Sequence, residues 1–130
     1  MAGFGTRGTY SSTNLGNVVR ANIDGKAIAN TTILSNNSGK NFVVVNVVIL
    51  TTTVTAYSSA PVINLGITAT GYTDIVNAVT GPIAVNKQVA GPLVSAPNIV
   101  PNGSNLILRV STGASATTYT FTVIVEGMFV

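Results

Sequence analysis

The chain has 130 residues, 46% hydrophobic and only 7% charged, with no Cys, His or Trp. That length suits one domain with a real core. The missing Cys and His exclude disulfides, thiol chemistry and the Ser-His or Cys-His pairs of nucleophilic catalysis. The net charge of +3, from six cations and three carboxylates, is too dilute for a nucleic-acid footprint, which needs clustered basic residues.

Residues 1–17 are rich in Gly, Ser, Thr and Asn, the composition of an extended arm. They carry Arg7, and the first forty residues hold all of the net positive charge. We expect this arm to grip a neighbour, with Phe4, Arg7 and Tyr10 as contact residues. Gly3-Phe4-Gly5-Thr6-Arg7-Gly8 fits the letters of a dinucleotide fingerprint. It lacks the strand before and the apolar-periodic helix after that the fingerprint requires. No apolar h-region follows Met1, so no secretory leader is expected. The longest apolar run is far short of the ~20 residues that span a bilayer.

Val18–Ile23 and Ala27–Leu34 predict two short strands, and Asp24-Gly25 between them predicts a two-residue hairpin. After the Asn36-Asn37-Ser38-Gly39 loop comes Phe42–Val54, a long strand rich in β-branched residues and free of Gly and Pro. Period two puts Val43, Val45, Val47 and Ile49 on a core face. Phe42, Val44, Asn46, Val48 and Leu50 fall on the other. The second face is also apolar apart from Asn46. A flat apolar strand left in solvent is an aggregation site, so Val44, Val48 and Leu50 are candidates for a subunit interface.

Val62–Ala69 alternates with Ile63, Leu65 and Ile67 inward and Asn64, Gly66 and Thr68 toward solvent. Residues 71–104 are punctuated by Gly and Pro and predict edge strands or loops, the usual place for binding. A turn at Pro101-Asn102-Gly103-Ser104 precedes Leu106, Leu108 and Val110. The final segment places Tyr119, Phe121, Val123 and Val125 on one face, and Thr118, Thr120, Thr122, Ile124 and Glu126 on the other. No helix-period segment occurs. The pattern is an all-β sandwich or barrel of about eight strands.

The three carboxylates, Asp24, Asp74 and Glu126, suggest no acid–base pair. Asp24 reads as a turn residue bonding its own backbone, and Glu126 as a solvated or paired outward residue. No oxygen cluster has Ca²⁺ spacing. We expect no enzyme activity, cofactor or metal. Three Asn-x-Ser/Thr sequons, at Asn30, Asn36 and Asn102, read as turn chemistry.

Lys40–Val45, Ile63–Gly66, Ile99–Ser104, Leu106–Val110 and Tyr119–Gly127 follow a recurring pattern. A Pro-x-Gly turn leads to a penultimate strand, a small-residue link and a last strand ending in Glu-Gly. This resembles the jelly-roll modules of tailed-bacteriophage virion proteins, the head decoration (cement) proteins and related fibre heads. The likeness covers roughly residues 40–127. It implies a jelly-roll β-sandwich over residues 18–130 behind the arm, and a virion component assembled in the host cytoplasm. That component would be a homo-oligomer, a trimer above all, bound to the major capsid protein, with no nucleic-acid or membrane partner. The alternatives are a receptor- or glycan-binding fibre head, or a self-assembling coat subunit. Sugar-stacking sites use exposed Trp or Tyr; here Trp is absent and the four Tyr are scattered.

Overall fold

The computed structural model describes residues 15–94 and 98–130. Nine strands form two antiparallel sheets packed as a sandwich, and no helix occurs among the described residues. They are β1 Leu15–Asp24, β2 Ala29–Ser35, β3 Phe42–Thr55, β4 Val62–Gly66, β5 Val76–Thr80, β6 Gln88–Ala90, β7 Ile99–Val100, β8 Asn105–Thr112 and β9 Thr118–Phe129. One sheet has the order β1-β9-β3-β6, with β7 also on β3; the other has the order β2-β8-β4-β5. β1 begins at Leu15, so the last residues assigned to the arm are strand.

The core follows the alternation of β8 and β9. Leu106, Leu108, Val110, Tyr119, Phe121, Val123 and Val125 are buried, facing Val47, Ile49, Ile63 and Leu65. Their outward neighbours are polar or half-buried, as period two requires.

Several expectations fail, each for a local reason. Asp24-Gly25 is not a hairpin, because β1 and β2 lie in different sheets. The Gly25 amide donates to the Tyr119 carbonyl, and the Gly25 carbonyl accepts from the Ala114 amide, so the chain turns the corner of the sandwich. A Cβ at Gly25 would lie 2.5 Å from the Tyr119 ring, so only glycine passes here.

The faces of β3 also differ from the prediction. Its register against β9 shifts between Val44 and Asn46. This is a β-bulge, which inserts one residue and reverses which side chains face inward. Phe42 and Val44 enter the core before it; Val47, Ile49 and Thr51 enter after it. Val43 is only half-buried and Val45 is 55% exposed. Val44 is therefore a core residue with no surface to offer a partner, and Val45 takes its place outside.

Residues 71–104 supply β5, β6 and β7. β4 stops at Gly66, and Asn64 is buried instead of facing solvent. The segment from Ile67 to Asp74 lies over that face. Asp74 Oδ1 accepts the Ile67 and Thr68 amides.

Candidate assembly surface

The outer face of the β1-β9-β3-β6 sheet is built from cross-strand rows. Val19, Ile124, Val48 and Ala90 form one row, by the pairings of β1 with β9, β9 with β3, and β3 with β6. Beside it, Thr122 and Gln88 flank Leu50. On the other side Asn17, Glu126 and Asn46 line up, and beyond them Met128 pairs with Val43. Cross-strand neighbours are the unit of sheet energetics, so each apolar row is a continuous strip.

The bulge at Val45 opens this face into a shallow groove of about 470 Å³ lined by Gly16, Asn17, Val45, Glu126, Gly127 and Met128. Beneath it, Phe42 and Phe129 pack ring to ring at 4.8 Å. A Cβ at Gly127 would come within 2.4 Å of the Val43 carbonyl oxygen, so a glycine keeps β9 close to β3 at this point. Glu126 is the carboxylate between these apolar rows, and it accepts a 2.7 Å hydrogen bond from Asn46 Nδ2.

Of the predicted contact residues, Val48 and Leu50 lie on this face, half-buried. Val44 does not. Phe4, Arg7 and Tyr10 lie outside the described residues. Sequence reasoning missed Val19, Val43, Val45 and Met128. Ile124 was legible as the single apolar residue among the outward threonines of the last strand. Nothing in the sequence signals the bulge.

The remaining carboxylates have structural partners. Asp24 Oδ1 accepts the Lys26 amide at 2.8 Å, the local turn bond expected of it. Asp74 holds two loop amides. Among the described residues no group of three or more His, Cys, Asp or Glu is placed to hold a metal, and no helix is long and apolar enough to cross a membrane.

Tyr119 is a buried titratable group whose hydroxyl is perturbed. Burial pushes its hydroxyl above the ordinary tyrosine value of 10.0; the Thr51 hydrogen bond opposes this and nearby Tyr57 adds to it. The hydroxyl donates to the Pro82 carbonyl and lies 3.0 Å from Thr51 Oγ1. This is a structural tie, which joins the β5–β6 loop to β3 and β9.

No protein-family model and no curated protein matches the chain. A solved structure titled "Cyanophage Pam1 capsid asymmetric unit" contains a chain similar in fold, with a TM-score of 0.52 and 12% identity. The match covers 94% of this chain and 98% of that one, so the two are of similar length and similar fold.

Proposed function

We propose that the protein is a non-enzymatic virion structural protein, a jelly-roll decoration (cement) protein that binds the major capsid protein and self-associates through the outer β1-β9-β3-β6 face. The observation that carries this reading is the open apolar face on a sandwich matching, over 94% of the chain, a chain from a phage capsid unit. The strand order supports the jelly roll. With β1, β9, β3 and β6 in one sheet and β2, β8, β4 and β5 in the other, the strands nest as two Greek keys do.

Energetics favour weak self-association. Burying the exposed parts of Val19, Val45, Val48, Ile124 and Met128 contributes on the order of 1 kcal/mol per side chain on each partner. Association costs about 4–15 kcal/mol. The balance is small in dilute solution and grows when copies are held side by side on a particle. The number we propose is a trimer. Residues 1–17 would add a second grip on a neighbour.

The test is copurification with intact particles and light scattering of the isolated protein. Capsid-like copy number and a mass of three chains support the reading. A monomer absent from particles overturns it.

A further inference from the structure

Apart from Val130, the large hydrophobic side chains left exposed among the described residues fall into two groups. Val19, Val45 and Met128 belong to the sheet face already described. Ile28, Tyr57, Ile83 and Val85 sit on three loops at one end of the sandwich, each between 37% and 62% exposed.

These loops are fastened together. The Tyr119 ring packs where a Cβ on Gly25 would stand, and its hydroxyl holds Pro82. Gly81 donates to the Pro61 carbonyl at 2.9 Å, and Asn86 and Lys87 bond to both backbone groups of Thr51. Ser58 and Ser59 bond to Ser115. Beside two of the apolar tips, Ala56 and Asn86 are held in the left-handed region at φ 50° and 63°, which disfavours residues with a Cβ and persists only where surroundings impose it. The loops are thus a rigid platform holding apolar side chains in water, the preorganised form of a binding surface.

We infer that this end, presenting Ile28, Tyr57, Ile83 and Val85 beside Lys26 and Lys87, docks on an acidic, apolar patch of a different virion protein. The inference rests on the virion reading above and adds a second surface to it. The charged residues on these loops are Lys26, whose Nζ also donates to the Thr117 carbonyl at 2.8 Å, and Lys87; the neighbouring exposed Asp24 accepts the Lys26 amide, so this end keeps a net positive charge. A second copy docking end to end would set these lysines against their own kind, so charge complementarity selects an acidic partner. Two lysines are too few for nucleic acid.

The experiment places a photo-crosslinking amino acid at position 83, at position 45 on the sheet face, or at position 107 on the opposite sheet, in protein bound to particles. A cross-link from position 83 to a chain other than this one is expected, with position 107 silent. Ile83→Asp with Lys87→Glu should lower particle affinity about thirtyfold or more, the range of a binding hot spot, at unchanged melting temperature. Cross-linking of position 83 only to another copy of this chain, or to nothing while the protein is on the particle, overturns the inference and spares the virion reading. Absence of the protein from particles overturns both.

Discussion

The two sheets of this sandwich share one core but present opposite outer faces. The β1-β9-β3-β6 sheet turns Val19, Val43, Val45, Val48, Leu50, Ile124 and Met128 outward, with Glu126 satisfied by Asn46. The β2-β8-β4-β5 sheet turns outward a row of Asn30, Arg109 and Asn64. Arg109 donates to Asn30, and Asn64 donates to the Gly71 carbonyl and accepts the Ala78 amide. One face is closed by its own hydrogen bonds and a loop. The other leaves Val19, Val45 and Met128 exposed among the described residues. Both arise from the same period-two pattern; they differ in which residues occupy the outward positions and in whether a loop folds back.

The contrast can be broken most severely at the bulge. Val44→Lys should prevent folding, because the lysine would enter the core unpaired, a cost well above about 4 kcal/mol. Val45→Lys, one residue on, should change stability by less than about 0.5 kcal/mol. Urea unfolding of the pair measures this directly, and equal effects would remove the bulge from the account.

On the closed face, Asn64→Leu leaves the Ala78 amide and Gly71 carbonyl without their partner. We expect a loss of about 2–3 kcal/mol, read as a lower denaturation midpoint at unchanged oligomeric state. The loss should be larger for Asn36, whose buried amide donates to the Lys40 and Val100 carbonyls and accepts from Ser38.

A smaller effect is expected at alkaline pH. Tyr119 is held neutral in the folded chain, with its proton bound more tightly than in the unfolded chain. It therefore contributes stability that is complete below pH 10, the unfolded value, and is lost as pH rises above it. Tyr119→Phe should be less stable at neutral pH by about 1 kcal/mol and should lose less between pH 10 and 12. Parallel pH profiles for the two proteins would show that the hydroxyl does not couple to folding.

Most of the architecture was legible in the residues. The alternation in Leu106–Val110 and Tyr119–Val125 names the inward side chains correctly, because those strands run without interruption. β3 was legible as a strand and misread as a pair of faces. One inserted residue among consecutive valines swaps the faces of the residues before it and leaves Val47 and Ile49 on the predicted inward side, and Val43, Val44 and Val45 are chemically identical, so no residue type marks the slip. Asp24-Gly25 carries hairpin letters, yet the partner that decides its path is Tyr119, nearly a hundred residues away. Asn64 looked like a solvent residue because the Ile67–Asp74 segment that covers it is held by Asp74, whose role depends on tertiary contact. The apolar end formed by Ile28, Tyr57, Ile83 and Val85 is likewise invisible in sequence, since topology alone assembles it.

We propose that the open face of the β1-β9-β3-β6 sheet is covered by another copy of the chain. Light scattering at high micromolar concentration, on the native protein and on Val45→Lys combined with Val48→Lys, tests it most directly. The account predicts three times the 13.2 kDa chain mass for the native protein, and a single chain mass with an unchanged melting curve for the variant. A native protein that stays at one chain mass, or a variant that keeps the native mass, would contradict it.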